Sequence, residues 1–114
     1  KNKKKITFSE NQDLEILCIA PWQIENIDVQ IDHFHNAASF QEMTEDAVKN
    51  YSKYINKFVK KNGSISLFCY GTYNLNKTIN PDTLNELFNN SLMIKKFPNL
   101  DDESKIDYYL ISKI

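Results

Sequence analysis

The stretch DHFHNAASFQEM, residues 32–43, decides how the rest of the chain is read. It gathers both histidines, an asparagine, a small-residue turn and a glutamate. It reads as the place where a strand ends and helical signals begin. In α/β proteins the C-terminal ends of strands are where ligands collect. Any functional signal in this chain is concentrated here.

Moving outward, residues 29–36 read as a strand leading into Ala37-Ala38. Ser39 and Glu42 then stand in the S-x-x-E relation of a capping box, in which each side chain satisfies the other's free backbone N–H. Thr44 gives a second start, with Glu45 and Asp46 where carboxylates suit the positive end of a helix dipole. The expectation is a short helical turn followed by a main helix. In that helix Val48, Tyr51, Ile55, Phe58 and Val59 recur at three- and four-residue spacing, and Ala47 and Tyr54 widen the stripe. Tyr51, Tyr54 and Phe58 are therefore read as core. Lys49, Lys53, Lys57, Lys60 and Lys61 form a solvated face, and Asn62-Gly63 supplies a stop. The next run, SISLFCY at 64–70, has consecutive apolar residues, as in a strand buried on both faces. Strand, helix and strand from 29 to 70 predict a right-handed βαβ unit.

Further out, residues 1–5 are a solvated basic tip. Residues 14–20 predict a buried strand stopped by Pro21-Trp22, with Trp22, Ile24 and Ile27 covering a core edge. Downstream, Asn80 caps and Pro81 opens a helix whose apolar side is Leu84, Leu87 and Phe88. Residues 92–97 and 106–114 read as two strands. Their connection is too short for a helical crossover, so they are expected to pair antiparallel.

The totals set limits. The 114 residues are 41% hydrophobic and 25% charged, which fits one domain spanning 1–114. A net charge of -1 gives no global field favouring nucleic acid or an anionic membrane. All 14 basic residues are lysines, so no guanidinium fork can clamp phosphate or carboxylate. No apolar run approaches the roughly 18 residues of a membrane span. Phosphate loop, nucleophile elbow, zinc spacing and nucleic-acid motifs are all missing. Cys18 and Cys69 each lie in an apolar run and read as buried free thiols, which makes the cytoplasm the expected compartment.

The order strand, strand, helix, strand, helix, strand, strand resembles the C-terminal half of the Rossmann-like sheet of S-adenosylmethionine-dependent methyltransferases. The closer likeness is to the sugar O-methyltransferase family. It is carried by Pro21-Trp22, by the DHFHN of 32–36, by the SFQEM of 39–43 and by the following helix with Tyr51 and Tyr54. The resemblance covers about residues 14–114. It implies an α/β fold with parallel strands, a crossover helix and a closing antiparallel pair. It implies methyl transfer to a hydroxyl of a sugar or polyol, with S-adenosylmethionine as cofactor. It places Asn36 near the transferred methyl group; for such a reaction the residues offer His35, or else His33, as the base and Asp32, Glu42 and Tyr73 as substrate-side candidates. No metal ligands are assigned. One departure is large. The family grips its cofactor on a glycine-rich loop after the first strand, and this chain has only Gly63 and Gly71. It also opens without methionine. It is therefore expected to be the later, substrate-side part of a larger methyltransferase domain.

The residues themselves leave alternatives open. His33 and His35 lie two apart and share a strand face. One can serve as a base with a near-neutral pKa, the pair can join Asp32 or Glu42 around a metal, or both can be hydrogen-bonded structure. Asn36 can be a turn asparagine, Asp32 a partner of a lysine, and Glu42 a capping residue. Tyr73, with Tyr70, flanks Gly71 either as a pocket wall or as a loop aromatic. A small-molecule substrate is the expected partner, with no nucleic acid and no membrane. The rival class is a non-catalytic α/β binding or assembly module, for which a homodimer joining exposed sheet edges is one route.

Overall fold

One long helix and one short helix cover a single face of a four-stranded sheet in the computed structural model, which describes residues 4–11, 13–70, 79–88, 93–97 and 108–113. The elements in order are β1 (Ile31–Ala37), α1 (Glu45–Phe58), β2 (Val59–Tyr70), α2 (Pro81–Leu87), β3 (Met93–Phe97) and β4 (Tyr108–Lys113). The sheet order is β1-β2-β4-β3. β1 and β2 run parallel, joined through α1, while β4 lies antiparallel between β2 and β3. The fold is mixed α/β, and the two last strands pair antiparallel as expected.

Helix α1 starts where its sequence signals it. Thr44 Oγ1 accepts the Ala47 N–H at 3.3 Å, and Glu45 and Asp46 occupy the first turn. Val48, Ser52, Ile55 and Phe58 are its buried residues. Ser52 joins that stripe because its hydroxyl donates to the Lys49 carbonyl, which satisfies it inside the fold. α2 likewise starts on Asn80, whose side chain accepts the Thr83 N–H at 2.8 Å, with Pro81 first in the helix.

The helix stop differs from the expectation. α1 ends at Phe58 and β2 begins at the next residue, so Lys60, Lys61 and Asn62-Gly63 lie in a strand. Between Ile31↔Val59 and His33↔Ser64 the register shifts, which makes residues 60–63 a bulge. Gly63 is required there for space. A Cβ on it would lie 2.8 Å from Val59 Cγ1 and 2.9 Å from the Asp32 carbonyl.

β2 is not buried on both faces. Ile65, Leu67 and Cys69 are buried, whereas Ser64 is exposed and Ser66 and Phe68 are half-buried. This is the period-two pattern of a strand with one open face. The core lies between that buried row and the helices: Phe40, Val48, Ile55, Val59, Ile79, Leu84 and Phe88 complete it. Burial pushes the Cys69 thiol up to about 11.

The upstream expectation fails. Residues 14–20 form no strand, and Leu14 and Ile16 are 89% and 82% exposed. Cys18 is exposed rather than buried. Trp22, at 78% exposure, covers no core edge. The physical reason is the lack of a sheet neighbour among the described residues. The bridge in this region, Ile6↔Ile27, draws in neither residue 14 nor residue 20. Pro21 instead opens a 3-10 turn, Pro21–Asn26, with the Gln23 side chain accepting the Ala20 N–H. No helix among the described residues is long and apolar enough to cross a membrane.

Candidate functional site

The alternation of β1 divides the DHFHN stretch between two faces. Phe34 turns toward the helices and stacks on Phe40, with ring centroids 6.1 Å apart. His33 and His35 stand on the open face, both exposed, with rings 6.3 Å apart and nearly parallel at 17°. Because β1 and β2 are in parallel register at His33↔Ser64 and His35↔Ser66, each histidine faces a serine.

These four side chains are hydrogen-bonded in series. His33 Nδ1 lies 2.6 Å from Ser64 Oγ, and His33 Nε2 lies 3.1 Å from Ser66 Oγ. Ser66 Oγ lies 2.8 Å from His35 Nδ1. Among the described residues no hydrogen bond engages His35 Nε2, which ends the series. The arrangement can accept a proton at an exposed imidazole nitrogen and hold the ring's orientation from behind. Ser64 and Ser66 are the functional candidates that sequence reasoning missed. The available signal was an S-x-S on one strand of a βαβ unit answering the H-x-H on the other.

The other expected site residues are less concentrated. Asp32 takes the lysine alternative, accepting from Lys60 Nζ at 2.6 Å in an exposed ion pair. Asn36 closes the turn after β1: its amide donates to Ser39 Oγ at 2.6 Å, and its Oδ1 accepts the Phe40 N–H at 3.2 Å. Asn36 thus occupies the capping role expected of Ser39, which makes no side-chain cap of its own. Glu42 is exposed in the short 3-10 turn Phe40–Glu42. Tyr73 lies outside the described residues. Among the described residues no cluster of three or more His, Cys, Asp or Glu side chains could hold a metal.

The backbone at this strand end is strained. Ala38 has φ 59, in the left-handed region that a Cβ disfavours by roughly 1–2 kcal/mol. Its N–H is held by the Phe68 carbonyl at 2.8 Å, which fixes the turn to β2. Strain of this kind collects at functional sites.

Compared with models of known protein families and with curated proteins, the chain matches none.

Proposed function

We propose that this chain is the acceptor-side part of an O-methyltransferase, with His35 as the base that takes the proton from a hydroxyl of a sugar or polyol. The observation that carries the proposal is the sheet order β1-β2-β4-β3 with β4 reversed between two strands of the opposite direction. With the parallel β1–β2 pair joined through α1, it supports the reading, because the resemblance implies parallel strands, a crossover helix and a closing antiparallel pair. The histidine pair and the strained Ala38 turn then lie at or near the C-terminal end of a parallel strand, where such sheets bind ligands.

S-adenosylmethionine finds no grip among the described residues. Gly63 is packed inside the β2 bulge against Val59 and the Asp32 carbonyl, and forms no turn at a strand end. Asn36, the one residue proposed to lie toward the cofactor, has both ends of its amide engaged in the turn. No step through the cofactor follows from these residues, and its binding belongs to the proposal that the chain is part of a longer methyltransferase domain. What the chain itself supplies is proton removal at His35, worth typically 10²–10⁴-fold in rate.

The test uses the full-length protein, a panel of sugars and polyols, and mass spectrometry for S-adenosylhomocysteine. Turnover is expected with at least one acceptor, and His35→Asn should lower it at least about 100-fold. Product formation unaffected by His35→Asn would remove the base assignment. No product with any acceptor would remove the enzyme reading.

A second reading rests on the sheet edge. Among the described residues β1 has one strand neighbour, and Leu14, Ile16 and Trp22 are exposed nearby in sequence. A non-catalytic assembly module that joins sheet edges would show a concentration-dependent dimer in sedimentation, and a monomer throughout would exclude it.

A further inference from the structure

We propose that Ser64, His33, Ser66 and His35 form one proton relay, in which Ser66 sets the tautomer of His35 and passes the proton taken up there to His33. The proposal rests on the reading of His35 as the base, but its geometry can be tested without any methyl transfer.

The argument is a count of protons. Ser66 has one hydroxyl proton and two imidazole partners, His33 Nε2 at 3.1 Å and His35 Nδ1 at 2.8 Å. A hydroxyl can donate to only one of them, and where its proton stays within the series it accepts from the other; acceptance from both rings would give them opposite tautomers and break the series. With both rings neutral, the series therefore has two continuous directions. In one, His35 Nδ1–H donates to Ser66, Ser66 donates to His33 Nε2, and His33 Nδ1–H donates to Ser64. In the other, Ser64 donates to His33 Nδ1, His33 Nε2–H donates to Ser66, and Ser66 donates to His35 Nδ1. In both directions the two rings carry the same tautomer. Only the first leaves the lone pair of His35 Nε2 open to a substrate.

The transfer balances. A hydroxyl proton forms a bond to His35 Nε2, which makes that ring cationic. The Nδ1–H of His35 breaks as its proton moves to Ser66 Oγ, and the hydroxyl proton of Ser66 moves to His33 Nε2. His35 ends neutral, with its proton now on Nε2. Ser66 ends with one proton, pointing back at His35 Nδ1. His33 ends cationic, with Nε2–H donating to Ser66 and Nδ1–H donating to Ser64 Oγ at 2.6 Å. Every contact in the series is satisfied before and after, so the charge moves without an unpaired intermediate. Ser66 and His33 are positioning and relay residues, and His35 alone meets the hydroxyl.

The experiment is long-range ¹H–¹⁵N correlation NMR on the ¹⁵N-labelled chain, above the pH range in which imidazole titrates. Both rings are expected to carry the proton on Nδ1. Ser66→Ala should free His35 from the match, and Ser66→Thr, which keeps the hydroxyl, should preserve it. Far-UV circular dichroism checks that each variant is folded. Opposite tautomers on the two rings of the wild-type chain would overturn the relay, as would tautomers unmoved by Ser66→Ala. In the full-length protein Ser66→Ala should lower kcat by about 10–100-fold with KM unchanged, the range for residues that orient a functional imidazole. Matched tautomers without methyl transfer would sink the methyltransferase proposal and leave the relay standing. Methyl transfer with unmatched tautomers would do the reverse.

Discussion

Replacing Gly63 by alanine puts one methyl group into space that three atoms already occupy. The new carbon would stand 2.8 Å from Val59 Cγ1, 2.9 Å from the Asp32 carbonyl oxygen and 3.1 Å from the Lys60 carbonyl oxygen. Carbon pairs are comfortable at ~3.5–4.0 Å, so the methyl is about 0.7 Å too close to Val59. The two oxygens belong to backbone held in β1 and in the bulge, and they cannot swing aside as a side chain can. Overpacking of this kind costs about 1–3 kcal/mol. Alanine restricts the unfolded chain more than glycine does, which offsets about 0.4–1 kcal/mol. The net loss is about 1–2 kcal/mol. With an unfolding entropy near ~2.1 cal/mol/K per residue and 114 residues, Tm should fall by about 4–8 °C in a circular dichroism melt. A Tm equal to or above the wild-type value would mean that the entropic term dominates, and would refute the close approach at the bulge. Val59→Ala provides a cross-check. In that background the closest of the three contacts is gone, so Gly63→Ala should cost less, by a coupling of the size seen between touching residues.

Two further predictions concern the strand end and the thiols. Ala38→Gly removes the left-handed strain at φ 59 and adds flexibility to the unfolded chain. The net should be a gain of about 0.5–1 kcal/mol, read as a higher Tm, and a lower Tm would count against the strained turn. Of the two cysteines, exposed Cys18 should react at once with a thiol reagent at mild alkaline pH, and Cys69 only on unfolding. Because burial raises the Cys69 thiol from 9.0 to about 11, its contribution to stability is fully present below pH 9. It is lost as pH rises toward 11, at about 1.4 kcal/mol per pH unit. Denaturant titrations of wild type and Cys69→Ala should show a constant gap below pH 9, set by the lost core packing, and a narrowing gap across that window; a gap that does not change there would count against the buried thiol.

What was legible in the sequence followed from local chemistry. Thr44 and Asn80 cap helices because their side chains reach the third backbone N–H within their own turn, and no distant partner is needed. The antiparallel closing pair follows from a short connection. The readings that failed depend on what the chain meets elsewhere. Residues 14–20 have strand composition, but a strand forms only against a neighbour. Asn62-Gly63 carries the signature of a helix stop, yet Val59 had already entered the sheet and the glycine serves a bulge. Ser39 lost its cap because Asn36, three residues earlier and fixed by the strand end, holds its hydroxyl and takes the Phe40 N–H.

The candidate site was half legible, and the missing half shows why. His33 and His35 are conspicuous singly, but Ser64 and Ser66 gain meaning only when the register across β1 and β2 is known. The bulge at 60–63 sets that register, since without its extra residues His33 would face a different partner. β2 reads as buried on both faces because apolar Phe68 takes the open-face position between Leu67 and Cys69, while Ser64 and Ser66 hold the open-face positions before it. Folding is accounted for by the buried row. Hydrogen bonds on the open face compete with water and add little net stability. Ser66→Ala should therefore leave stability within about 0.5–1 kcal/mol of wild type while changing the tautomer of His35. A large drop in Tm with unchanged tautomers would make the serine–histidine series part of the scaffold. A nearly unchanged Tm with a changed tautomer would separate the chemistry on one face of this sheet from the folding energy on the other.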